Sequence, residues 1–171
     1  MSNILETIAE ATKLRVAEAK KTVSLDEVKA KALSMPVGDF VFEKALRAKG
    51  MSFICECKKA SPSKGIIAED FPYLQIAKDY EKAGASAISV LTEPQWFKGE
   101  LSYLSEIAAN VNIPCLRKDF TVDEYMIYEA KVARAAAVLF ICSILTEEQL
   151  SLFLYGTGDR PLTLHRASIY G

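Results

Sequence analysis

Four short apolar runs, each followed by a helix-like segment, constrain the fold of this chain more than any other feature. Residues 52–57 (SFICEC), 87–91 (AISVL), 113–116 (IPCL) and 138–141 (VLFI) are apolar throughout rather than alternating. Parallel strands covered on both faces read this way. Helical patterns over 71–83, 101–110, 121–133 and 146–154 separate or follow them, and strands alternating with helices imply right-handed βαβ units. The fold class is therefore α/β. Four such units make half of an eight-stranded barrel or a small open sheet, and periodicity alone does not choose between these.

Before the first run the chain reads as helices. Ile4, Leu5, Ile8, Ala11, Leu14, Val16 and Ala19 form a loose helical stripe. Ser24 precedes Leu25-Asp26-Glu27 as an N-cap with acids in the first turn. Thr121 and Thr146 are expected to cap later helices, Thr146 with Glu147 and Glu148 behind it. The expected divisions are a helical extension over 1–50, four βα units over 51–154, and a divergent tail over 155–171, possible disorder included. The tail carries Gly156, Gly158 and Pro161 and has no clean strand period. His165 is the one histidine, and without an orienting partner it reads as incidental.

The net charge of −1 over 171 residues favours neither nucleic acid nor an anionic membrane. Any anion site must come from local arrangement. The opening MSNILETIAEATKLR has early acids and no apolar core, so it does not read as a signal peptide. No apolar stretch approaches the ~18 residues of a bilayer span. Cys55, Cys57, Cys115 and Cys142 lie inside apolar runs, and C-E-C is not a redox or zinc spacing. Neutral thiols of a cytoplasmic protein are the plain reading, and no metal set is expected.

Chemistry concentrates where the strand runs end. Glu56 and Lys58 share a face because strand side chains alternate. An acid and a lysine together at the C-terminal edge of a parallel sheet stand where α/β enzymes work. Ser61, Ser63, Lys64 and the backbone near Gly65 offer donors for a phosphate or carboxylate. Lys118 follows the third run with only Arg117 between, where desolvation would favour its neutral form and suit it to general acid work. Arg117 and Asp119 face the other way and are expected to pair outside the barrel. For each lysine the alternative is a solvated loop residue. Trp96 and Phe97, after the second run, either cover an aromatic ligand or pack on a neighbouring loop.

The stretches ECKKASPSKG (56–65), SVLTEPQWFKG (89–99) and CLRKDF (115–120), in that order, resemble the indole-3-glycerol-phosphate synthases of tryptophan biosynthesis. AVLFICSILTEEQL (137–150) and the ILETI start are similar to the same family, so the resemblance covers about residues 1–150. It implies a partial TIM (β/α)8 barrel of about four βα units behind an N-terminal helical extension. It also implies a cofactor-free lyase that decarboxylates and closes 1-(2-carboxyphenylamino)-1-deoxyribulose 5-phosphate to indole-3-glycerol phosphate. By the same resemblance Lys118 is the general acid, Lys58 holds and orients the anionic substrate, and Glu56 positions it by charge pairing. Ser61 belongs to the phosphate site, and Phe97 and Phe120 shape an aromatic pocket.

The match stops near Leu150, where the family continues to a strand bearing a general-base glutamate and to a glycine-rich phosphate loop. The chain by itself is therefore expected to turn over little or no substrate. Two other readings remain. One is a non-catalytic half-barrel that self-associates through unpaired edges. The other is a further phosphate-binding barrel enzyme, similar to phosphoribosylanthranilate isomerase. The family's small glycine turn before the fourth strand is replaced here by Ala133-Arg134-Ala135, so that turn is expected to be perturbed.

Overall fold

A computed structural model describes residues 3–155 with their side chains and the backbone of residues 165–169. The order is α1 (Ile4–Thr22), α2 (Leu25–Ser34), α3 (Val41–Leu46), β1 (Ile54–Cys57), β2 (Ala60–Ser61), β3 (Gly65–Ile66) and α4 (Tyr73–Lys82). It continues with β4 (Ala87–Leu91), α5 (Leu101–Asn110), β5 (Cys115–Lys118), α6 (Glu124–Val132), β6 (Ala137–Ile141), a 3-10 turn at Cys142–Ile144, α7 (Glu147–Tyr155) and β7 (His165–Ile169). Strands β1-β4-β5-β6-β7 lie side by side in that order, all parallel. Helices follow the strands on one side, so the architecture is an α/β arc of a TIM-type barrel. β7 adds a backbone strand in the tail, where no strand was expected. The expectations for residues 156–164 and for the His165 side chain lie outside the described residues.

Alternation along each strand sorts the core into two layers. Cys57, Ile88, Val90, Cys115, Val138 and Phe140 face outward and pack with Ala77 of α4, Leu104 and Ile107 of α5, Ile127 and Ala130 of α6 and Phe153 of α7. This helix-covered layer explains why the strands are apolar on consecutive residues. The opposite set, Ala87, Leu116 and Ala137, lines the N-terminal end of the inner face and meets Phe42 of α3. Phe42 thus closes the bottom of the arc and leaves the C-terminal ends of the inner face for polar groups.

Local capping fixes the helices as expected at two sites and differently at a third. Ser24 and Glu27 form a reciprocal capping box on α2. Thr146 and Gln149 exchange the corresponding hydrogen bonds at the start of α7. The cap of α6 is Asp123, which accepts the Tyr125 N–H, rather than Thr121. Thr121 is fully buried, two residues before the cap. On α1 the buried stripe is Ile8, Ala9, Thr12 and Val16, while Leu14 stays 71% exposed. One narrow face of α1 meets the domain, through a cluster of Ala9 and Val16 with Val28, Val122, Tyr125 and Met126.

The turn that lacks glycine keeps its geometry. After α4, Gly84 has φ +92°, with Ala85 N–H donating to the Tyr80 carbonyl and Gly84 N–H to that of Glu81. After α6, Arg134 has φ +66°, with Ala135 N–H donating to Ala130 and Arg134 N–H to Lys131. Both are the same Schellman closure. The expected perturbation is thus one of strain and not of path, since a side chain in the left-handed region costs roughly 1–2 kcal/mol.

The pair expected outside the barrel is there, but it is buried. Arg117 is 3% and Asp119 2% exposed, with Arg117 Nη2 3.3 Å from Asp119 Oδ2. Asp119 also accepts from Thr92 Oγ1 at 2.6 Å, from Arg15 Nη2 of α1 at 2.8 Å and from the Phe120 N–H. Arg117 reaches on to the Met126 carbonyl and to Glu129 Oε2 at 2.8 Å. Burial pushes the Asp119 carboxyl up, and Arg117, Arg15 and the Thr92 hydroxyl more than offset it, leaving it below the usual carboxylate value. A carboxylate depressed in the fold contributes stability that is complete above its unfolded pKa, near ~3.9. That contribution is lost as pH falls through the lower folded value.

Two outcomes follow for stability. Asp119→Ala, which strands two guanidiniums, is expected to lower urea stability by about 3–5 kcal/mol, and to flatten the loss of wild-type stability below ~pH 4. Arg134→Gly is expected to raise the urea midpoint by the equivalent of about 1 kcal/mol, with the fold unchanged.

Candidate active site

The candidate residues Glu56, Lys58 and Lys118 gather on the inner face at the C-terminal ends of β1 and β5, with Ser89 of β4 between them. Glu56 pairs in register with Ser89, and Leu91 with Lys118. By strand parity Glu56, Ser89, Leu91 and Lys118 share the inner face. Lys58 Nζ is 2.9 Å from Glu56 Oε1, and Lys118 Nζ is 3.9 Å from Glu56 Oε2. Ser89 Oγ donates to Oε2 at 3.2 Å. One carboxylate therefore stands between two ammonium groups, all three half-buried. Ion pairs this exposed contribute at most about 1 kcal/mol to stability. The cluster is better understood as a way of holding two positive charges at one opening.

Lys118 lies on β5 itself, because that strand starts two residues later than the sequence pattern suggests. Its side chain is thereby set by strand geometry rather than by a loop. Lys58 is the first residue beyond β1. The segment after it folds into a small antiparallel hairpin, β2 with β3, pairing Ala60 with Ile66 and Ser61 with Gly65. Ser61 Oγ accepts the Lys64 N–H at 3.3 Å within that hairpin. It is not brought into the Glu56 cluster.

Phe97 and Phe120, from the loops after β4 and β5, face one another with ring centroids 6.3 Å apart, tilted by 39°. Phe120 is buried and Phe97 half-buried. The two loops are joined below the rings. Thr92 N–H donates to the Lys118 carbonyl at 3.0 Å, and Thr92 Oγ1 to Asp119. Arg15 of α1 donates to both the Thr92 carbonyl and Asp119. The extension thus grips the two loops that carry the rings.

Ser89, Thr92, Glu93 and Arg15 are parts of this arrangement that sequence reasoning passed over. Ser89 could have been found as a polar residue inside an apolar strand. Arg15 had no signal, because its partners lie far away in the chain. Cys57 and Cys115 belong to the outer layer. Burial above all pushes both thiols up to about 12, so they are packing groups rather than nucleophiles. Among the described residues no group of three His, Cys, Asp or Glu is placed to hold a metal. No described helix is long and apolar enough to cross a membrane. A cavity of about 310 Å³ lies outside the barrel, lined by Arg15, Thr92, Glu100, Arg117, Tyr125 and Glu129 among others. It is separate from the inner-face cluster.

A family model described as indole-3-glycerol phosphate synthase matches residues 5–159. The indole-3-glycerol phosphate synthase of Ruminiclostridium cellulolyticum is 53% identical over 152 residues, covering 88% of this chain and 58% of that protein. The one from Endomicrobium trichonymphae is 54% identical over 152 residues, covering 88% and 59%. That of Lacticaseibacillus casei is 51% identical over 150 residues, covering 86% and 57%. The chain therefore spans less than three fifths of the length of these curated relatives. With the family model matched over most of its length and these relatives more than half identical to it, the chain belongs to the indole-3-glycerol phosphate synthase family.

Proposed function

We propose that this chain supplies the general acid and one wall of a site for decarboxylating ring closure of 1-(2-carboxyphenylamino)-1-deoxyribulose 5-phosphate to indole-3-glycerol phosphate. The observation that carries the reading is the inner-face cluster, in which Lys58 and Lys118 flank Glu56. When the aromatic carbon attacks the ribulose carbonyl, negative charge develops on the carbonyl oxygen. An ammonium group at that point donates the proton, and Lys118 on its strand is the donor in this reading. Lys58 attracts the substrate carboxylate and orients it, while Glu56 holds the two lysines in place by charge pairing. Phe97 and Phe120 form the aromatic pocket, and Ser61 with the hairpin backbone is assigned to phosphate. No cofactor is required by this scheme. A cytoplasmic location is part of the same reading.

Self-association is a second element of the proposal. Within the described residues β1 pairs only with β4, and its first residue Ile54 and the preceding Phe53 are exposed. A compact monomer in sedimentation velocity would remove it.

Ring closure is tested in a chimera in which one of the relatives supplies the rest of the barrel's length. Lys118→Ala is expected to lower kcat by about 10²–10⁴-fold, the usual scale of general acid catalysis, with little change in KM. Lys58→Ala is expected to raise KM as well. Unchanged turnover by Lys118→Ala, followed through the indole fluorescence of the product, would overturn the assignment of the acid.

A further inference from the structure

Glu93 is a carboxylate only 2% exposed, and the proposed chemistry leaves it unused. Its Oε1 accepts the Gln95 N–H at 2.9 Å, and its Oε2 accepts those of Trp96 at 2.7 Å and Phe97 at 3.0 Å. Three successive backbone donors converging on one anion form a nest in which the protein's own side chain is the guest. The Glu93 carbonyl also accepts the Gly99 N–H at 2.8 Å. A Cβ on Gly99 would sit 2.2 Å from the Leu91 carbonyl oxygen, so the loop closes back onto the end of β4 with no room for a side chain. At its start the loop is held to the next one by Thr92 and Asp119. The segment carrying Phe97 is therefore tied at both ends and in the middle.

We propose that Glu93 is the positioning residue of the aromatic pocket: by holding the backbone from Gln95 to Phe97 it fixes the Phe97 ring beside Phe120 before a planar aromatic acid binds. The inference rests on the reading of Phe97 and Phe120 as ligand-facing. It adds that the pocket is assembled during folding rather than on ligand arrival, so ordering of this loop does not subtract from affinity. Glu93→Gln replaces one acceptor oxygen with an N–H2 group that faces a backbone donor. Glu93→Asp keeps the charge but withdraws it by one methylene. Both should loosen the loop while leaving β4 and β6 intact.

The test uses the 171-residue chain with amide hydrogen exchange by NMR, and 2-aminobenzoate as probe, its binding followed through Trp96, the single tryptophan. In the wild-type chain the amides of Gln95, Trp96 and Phe97 are expected to be protected. Either substitution is expected to speed their exchange at least about tenfold, with Val90 and Leu139 unchanged, and to weaken 2-aminobenzoate about tenfold, equal to about 1.4 kcal/mol. Unprotected wild-type amides, or acceleration spread evenly over the core, would overturn the role of Glu93 in the loop. A loosened loop with unaltered affinity would overturn its role in the pocket. Phe97→Ala separates the two levels. If it leaves 2-aminobenzoate affinity unchanged, the ligand-facing reading of Phe97 fails, and the exchange result still decides whether Glu93 holds the loop.

Discussion

A carboxylate shut away from water stays charged only where opposite charge and hydrogen-bond donors outweigh its lost hydration, and Asp119 has both. Arg117 comes from β5 just before it, Arg15 from the first helix, and Thr92 from the neighbouring loop. These partners are far apart in sequence, so the charge balance exists only when α1, β5 and the loop after β4 are all in place. Lys118 and Phe120 flank Asp119 in the chain, one at the end of β5 and the other at the start of the loop after it. The N-terminal helices are thus more than a cover for α6. Through Arg15, α1 completes the charge balance around Asp119.

Strand parity divides the labour on β5. Arg117 goes outward into a layer of helices, where each nitrogen of its guanidinium has a partner. Lys118 goes inward to an opening where Glu56 is its nearest charge. The buried side carries the larger energies. The half-buried side carries pairs too weak to stabilise much, yet close enough to define where an anion would meet positive charge.

Much of the fold was legible because continuous apolar runs and helix punctuation are local signals. The bounds of β4 and α5 were readable to the residue, and the caps at Ser24 and Thr146 followed from side-chain chemistry within four positions. Thr121 was misread as a cap because a threonine before a helix carries the same local signal whether it is buried or capping. Leu14 belongs to the helical stripe yet stays exposed, because a stripe does not state how wide the contact will be. Glu56, Lys58 and Lys118 were legible from charge at strand ends plus family resemblance. Arg15 was not, since long-range partners leave no periodic trace. Glu93 was overlooked because its partners are backbone amides, which every residue but proline possesses.

The left-handed turn at Arg134 and the glycine turn at Gly84 show the same path bought with different residues, so turns here are dictated by the packing of helix onto strand. The parity of β5 offers no such latitude. A single residue inserted between Cys115 and Arg117 would leave composition and hydropathy almost untouched, yet it would rotate every later side chain of the strand to the opposite face. Lys118 would enter the helix-packed layer, and a guanidinium with its carboxylate would be carried toward the barrel axis. Length variation among related chains should accordingly be confined to the loops and absent from this four-residue strand.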